Sequence, residues 1–245
     1  MNILVVNDDG IEAVGIRKLA IALKKYGNVI VCAPDTGRSA AGHSIVLHDT
    51  LSFEYVNQDC GIEWYKTSGT PADCVRLSLA LLKDSIDVVF SGVNDGLNLG
   101  TDIIYSGTVS AAREAQIEGV PAVAISTDFK AFSIVDQELD QVLAYIFDHT
   151  LYSDEYVLNI NFPVGEFAES KGLRFCRQGI KNFKTSFLKD KDGRYMNSDS
   201  EILYDENPDT DVYLSSKGYI TLVPLQVEQT KYDSLEKLKK KFEKL

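Results

Sequence analysis

Short apolar runs alternate with amphipathic stretches through the first two-thirds of the chain. Residues 3–7 (ILVVN) place four apolar side chains before an asparagine and predict a strand. Residues 15–26 put Ile16, Leu19, Ala20 and Leu23 on one face at helical spacing, which predicts an amphipathic helix. The alternation continues with strands over 28–33, 63–67, 86–91, 122–126 and 156–161, and helices over 70–82, 108–118 and 134–147. Pro34 stops the second strand, and Phe162-Pro163 close the last of these. Thr70, Pro71 and Asp73 read as the N-cap, first position and first-turn acid of one helix. Strands that are apolar throughout, alternating with helices, belong to a parallel sheet covered on both faces. The predicted class is α/β, a doubly wound and mostly parallel sheet.

The pattern breaks after about residue 165. Residues 173–222 are polar, with turn signals at Lys191-Asp192-Gly193 and Asn207-Pro208, and predict hairpins projecting from the core. Residues 219–223 predict a returning strand. In the tail 233–245, Leu235, Leu238, Phe242 and Leu245 recur at helical spacing and predict an amphipathic helix. The organisation expected is a core over 1–165 and an extension over 166–245 that forms one structural domain with it.

Composition narrows the classes of function. With 25 Lys+Arg against 36 Asp+Glu the net charge is -11, which argues against duplex nucleic acid or an anionic membrane as a partner. A phosphate site in such a chain needs its own local positive charge. No apolar run reaches the ~20 residues of a membrane span, and Met1 leads into a strand rather than a secretory leader. Cys32, Cys60, Cys74 and Cys176 form no C-x-x-C pair, and the three histidines lack zinc-site spacing. Free thiols in the cytoplasm are expected.

In an open parallel sheet, ligands bind beyond the carboxyl ends of the strands, where strand order reverses. The first such loop carries Asp8, Asp9 and Gly10. Adjacent acids repel, so they are either an exposed turn with a helix cap or a site for a hard divalent cation. The second loop, DTGRSAAGHS, holds Arg38, Ser39 and His43, whose bland readings are a cap and a satisfied loop histidine. The fourth, SGVNDGLNLGTDIIYSGT, is rich in glycine and ends on Ser106-Gly107-Thr108 just before a helix. It reads either as a capped surface loop or as backbone brought close to an anion. No Walker A loop and no G-x-S-x-G elbow is present.

Taken together, Asn7-Asp8-Asp9-Gly10, Arg38-Ser39-Ala40 with Gly42-His43-Ser44, Gly69-Thr70-Pro71-Ala72-Asp73-Cys74, Ser91-Gly92-Val93-Asn94 with Gly96, Asn98 and Gly100, and Ser106-Gly107-Thr108-Val109 resemble the SurE family of divalent-metal-dependent nucleotidases. Asn159-Ile160-Asn161, Asp211, Gly218-Tyr219 and Pro224-Leu225 extend the resemblance along the whole chain. It implies a Rossmann-like catalytic core and a hairpin extension with a terminal helix used in oligomerisation, as a homodimer or homotetramer. It also implies hydrolysis of nucleoside monophosphates, at the 5′ and also the 3′ position, with one Mg²⁺ or Mn²⁺ per subunit. The metal ligands it implies are Asp8, Asp9, Ser39 and Asn94. The phosphate contacts are Asn94, Ser106, Gly107 and Thr108, and the catalytic residues Asp8, Asp9 and Asn94. Asp8 would orient or deprotonate water, with direct aspartate attack as the alternative, and His43 is a candidate proton donor to the leaving alkoxide. Two competing readings are a phosphoacceptor receiver domain and a nucleotide-binding module without turnover.

Overall fold

The computed structural model describes residues 1–82, 85–165, 167–183, 186–198, 202–204 and 206–242. In chain order the elements are β1 (Asn2–Val6), α1 (Val14–Leu23), β2 (Asn28–Pro34), β3 (Phe53–Asp59), β4 (Ile62–Thr67), α2 (Pro71–Leu81), β5 (Val88–Asp95), a 3-10 turn (Gly100–Ile104), α3 (Gly107–Ile117), β6 (Ala122–Thr127), α4 (Phe132–Asp148) and β7 (Val157–Asn161). There follow β8 (Leu173–Phe175), β9 (Lys181–Phe183), β10 (Phe187–Lys189), β11 (Tyr195–Asn197), β12 (Ile202–Tyr204), α5 (Asp211–Ser216), β13 (Ile220–Leu225) and α6 (Tyr232–Phe242).

Nine strands form one sheet in the order β3-β4-β2-β1-β5-β6-β7-β13-β8. β4, β2, β1, β5, β6 and β7 run parallel, while β3 and β13 are antiparallel to their neighbours β4 and β7. The α/β expectation is met. Successive side chains on a strand face opposite ways, so Ile3 and Val5 pack with α1 and α4 while Leu4 and Val6 pack with α2 and α3. Chain order along the sheet reverses between β1 and β5, and the first and fourth loops meet there.

Three local expectations change. β3 (FEYVNQD) has no apolar run to predict it; it is an exposed edge strand held by its pairing with β4. Residues 173–222 are hairpins only in part. β10 pairs with β11 and β9 with β12, but α5 is a helix that Thr210 caps through Tyr213 N–H, and β8 lies parallel to β13 within the main sheet. β5 runs on to Asp95, so Asn94 stands at a strand end rather than in the loop beyond. In the tail helix, Leu245 lies outside the described residues.

Candidate active site

Asp8 follows β1 and is only 4% exposed. Asn7 fixes the turn below it: its amide nitrogen donates to Gly10 O (2.9 Å) and its amide oxygen accepts from Gly10 N–H (3.2 Å). The Thr108 hydroxyl donates to Asp8 Oδ1 at 2.6 Å. α3 can rest on this carboxylate because residue 107 is glycine: a Cβ there would stand 2.7 Å from Asp8 Cβ and 2.8 Å from Oδ2. Burial pushes the Asp8 carboxyl up from 3.8 to about 6, and the neighbouring Asp9 charge adds to this against the Thr108 bond. Asp9 is half-buried and accepts from Asp95 N–H at 3.0 Å. Burial raises it too, and the Asp95 charge adds to the rise.

Asn94 reaches the site through a β-bulge. From Ser91 to Asn94 β5 advances three residues while β6 advances two, from Ala124 to Ser126, and the extra residue re-aims the end of the strand. The peptide between Gly92 and Val93 is cis. The Asn94 amide nitrogen donates to Gly96 O at 2.7 Å, which leaves its oxygen as the end that can meet a cation. The second loop is held against the first: Arg38 N–H donates to Asp8 O at 2.7 Å and the Arg38 guanidinium to Ser68 O at 2.9 Å. Ser39 follows Arg38 and is exposed.

The structure thus brings Asp8, Gly107 and Thr108 into direct contact. It sets Asp9 against the main chain beside Asn94; Ser39 follows Arg38, whose N–H donates to Asp8 O, and among the described residues makes no hydrogen bond to Asp8, Asp9 or Asn94. Ser106 is the N-cap of α3, its hydroxyl accepting from Val109 N–H at 3.0 Å. The hydroxyl hydrogen of Thr108 is given to Asp8. The first-turn N–H groups of α3 have no acceptor within the helix, so they are the donors this end offers an anion. His43 binds Glu114, Nε2 to Oε2 at 2.7 Å.

Residues not given a role from sequence support the fourth loop. Asn98 N–H donates to Asn161 Oδ1 (2.7 Å), its side chain to Ser126 Oγ (2.8 Å), and Asn159 and Asn161 both donate to Asn98 O (3.0 and 3.1 Å). The signal was present: two asparagines at alternate positions of an apolar strand point the same way into the interior.

Among the described residues no three or more His, Cys, Asp or Glu gather as a metal site. The expected set holds only two residues of those types, with an amide and a hydroxyl beside them. Its donors are all oxygen, which suits a hard divalent cation. Asp8 fits the same group, being a buried carboxylate met by a hydroxyl and main-chain N–H groups but by no cationic side chain among the described residues, beside an anionic neighbour, and so short of positive charge.

The model of the family described as Survival protein SurE matches residues 3–185. The chain belongs to the SurE family. It is 42% identical over 251 residues to a protein named 5'-nucleotidase SurE from Clostridium botulinum (strain Loch Maree / Type A3), with 99% of each covered. A protein of the same name from Alkaliphilus metalliredigens (strain QYMF) is 40% identical, with 98% of each covered. The crystal structure of the SurE protein from Aquifex aeolicus shares the fold with a TM-score of 0.79 at 34% identity, covering 98% of both chains. No helix among the described residues of this SurE chain is long and apolar enough to cross a membrane.

Proposed function

We propose that this chain is a divalent-cation-dependent phosphomonoesterase that hydrolyses nucleoside monophosphates to nucleoside and phosphate. Its membership of a family whose relatives are named 5'-nucleotidase supports the substrate class. The observation that carries the chemistry is the Asp8 carboxylate, buried beside Asp9 at a helix N-terminus, with a hydroxyl and main-chain N–H groups against it and no cationic side chain among the described residues. Asp8, Asp9, Ser39 and Asn94 would hold one Mg²⁺ or Mn²⁺. When bound, the cation neutralises charge on the phosphate as a Lewis acid.

The protein's own groups do the remainder. The first turn of α3 presents N–H donors at Gly107 and Thr108, and Ser106 adds a hydroxyl, so the phosphate oxygens have a fixed cradle. Thr108 fixes one Asp8 oxygen, so the other keeps a constant direction, and Asp8 orients the attacking water or takes its proton. Asn94, at the bulged end of β5, would add an amide to the phosphate contacts. The family match supports this reading over a signalling receiver, and turnover of a phosphomonoester separates it from a binding module. We also read the chain as a homo-oligomer, because α6 has an apolar stripe and no buried residue; sedimentation of the full chain measures this directly.

Phosphate release from a panel of nucleoside monophosphates, with Mg²⁺, with Mn²⁺ and with excess chelator, tests the function. Cation-dependent release that Asp8→Asn abolishes is expected. A folded chain that releases no phosphate with either cation returns the reading to a binding module.

A further inference from the structure

The loop after β2 carries Ser39 and is shaped by what grips it from outside. Ala40 adopts a φ of +57°, a left-handed conformation that a side chain with a Cβ disfavours, and Gly42 lies close behind at +58°. Such a turn persists only where its surroundings over-determine it. Before it, Arg38 N–H is bonded to Asp8 O at 2.7 Å; after it, Gly42 N–H is bonded to Tyr105 O at 3.0 Å. Further on, Val46 N–H is bonded to the Asp73 carboxylate. Between these, His43 Nε2 meets Glu114 Oε2 at 2.7 Å and ties the loop to α3 by side chains.

Glu114 is an unusual residue for a helix face. Its side chain is 7% exposed, and its other oxygen stands 3.6 Å from Arg76 Nη1 on α2. A buried carboxylate must be partnered, and here the partners come from α2 and from the Ser39 loop. Glu114 lies six residues beyond Thr108 on α3, the helix that also meets Asp8. One rigid element therefore grips the first loop at its N-terminus and the second loop further along.

We propose that Glu114 and His43 are a positioning pair that holds Ser39 in register with Asp8, and that His43 does not protonate the leaving alkoxide. The proposal rests on the reading that Asp8 and Ser39 hold a cation. His43 Nε2 is committed to Glu114, so the ring is tied to α3; the pairing leaves Nδ1 able to carry a proton, and a comparison of substrates separates tether from proton donor. A metal ligand carried on a strained turn needs such a tether, because its affinity depends on the turn staying in place.

The test uses His43→Ala, Glu114→Ala and Glu114→Gln in the full chain. It measures Mn²⁺ affinity without substrate, and turnover of a nucleoside monophosphate and of p-nitrophenyl phosphate. Nitrophenolate leaves without a proton, whereas a ribose alkoxide needs one. The expected result is Mn²⁺ binding weakened about 10- to 100-fold in both alanine variants. Both substrates lose turnover in equal proportion, and the double alanine variant is no worse than either single one. Glu114→Gln, which keeps an acceptor for His43, stays close to the parent. His43→Ala changes a surface loop and carries the test even where Glu114→Ala fails to fold. A loss confined to the nucleotide with unchanged Mn²⁺ affinity overturns the proposal and makes His43 the proton donor. Unchanged affinity and turnover overturn it outright. A parent chain that binds no Mn²⁺ removes the cation reading itself, and this proposal with it.

Discussion

Two buried aspartates, Asp8 and Asp211, look alike in exposure and differ in what the chain gives them. Asp211 is 0% exposed, and its carboxylate accepts from Gly100 N–H (2.9 Å), Gly179 N–H (2.7 Å) and Val212 N–H (2.8 Å). Those donors come from the fourth loop, from the segment after β8 and from the start of α5, so one side chain ties three stretches together. Asp8 accepts one short hydroxyl bond at 2.6 Å, is helped more weakly by the main-chain N–H groups of Asp8 and Thr108, and sits beside another carboxylate. Burial is the first cause of a raised carboxyl in both. At Asp211 backbone donors oppose that cost and complete the group's hydrogen bonding; at Asp8 the shortfall remains. A buried acid that its own chain satisfies is structural, and one left short of positive charge is waiting for a ligand.

The sharpest way to break this comparison is to neutralise each acid in turn. Asp8→Asn should lower nucleotide turnover by more than about 100-fold, since a lost ligand costs more than a lost supporting bond, without lowering the melting temperature. Asp211→Asn should do the reverse. Its amide oxygen can keep the two donors of Oδ1, and its NH₂ then faces Gly100 N–H; an orphaned donor costs about 1–3 kcal/mol, or roughly 2–4 °C of melting temperature per kcal/mol in a chain of this size. Turnover per folded molecule should be kept. Thermal melting read beside phosphate release settles it, and an equal loss of stability in both variants would sink the distinction.

The second effect is in pH. Asp8 titrates at about 6 in the folded chain against an ordinary 3.8. The folded state therefore binds this proton more tightly than the unfolded state. The stability linked to it is whole below about 3.8 and is lost as pH rises through about 6, a swing of about 3 kcal/mol at 1.36 kcal/mol per unit. In cation-free buffer, urea unfolding from pH 4 to pH 7 should show the parent losing most of that amount, about 2 to 2.5 kcal/mol, relative to Asp8→Asn. Saturating Mn²⁺ should flatten the difference, because the cation replaces the proton. A difference that does not change with pH would mean that Asp8 is already compensated.

These two acids also mark how far the sequence could be read. The parallel core was legible because strands buried on both faces must be apolar throughout, as ILVV in β1 and AVAI in β6 are. β3 was not, because an exposed edge strand is held by main-chain pairing and needs no apolar run. Asp8 and Asp9 were legible as a question, since two neighbouring carboxylates demand an answer from any fold. Asp211 was marked only by the family resemblance, with no role attached; its three donors lie 111 and 32 residues away and at its own neighbour. Glu114 was hidden for a related reason: a glutamate on an amphipathic helix reads as solvent-facing until a histidine from another loop is found against it.

The smallest effect sharpens the comparison most, because it asks what the hydroxyl bond to Asp8 contributes. Thr108→Val keeps the shape of a fully buried side chain and removes the hydroxyl. Above about pH 6 the carboxylate is charged, and its loss of that donor should cost about 1.5–3 kcal/mol; near pH 4 the same bond is neutral and should cost about 0.5–1.5 kcal/mol. The destabilisation should therefore grow with pH in the parent and stay constant in an Asp8→Asn background. Saturating cation should shrink it at pH 7, because the ion then carries most of the charge that the hydroxyl alone had met. A cost at pH 7 that Mn²⁺ leaves untouched would make the Thr108 bond a structural one, of the kind the backbone makes to Asp211, and the two corners would no longer differ in kind.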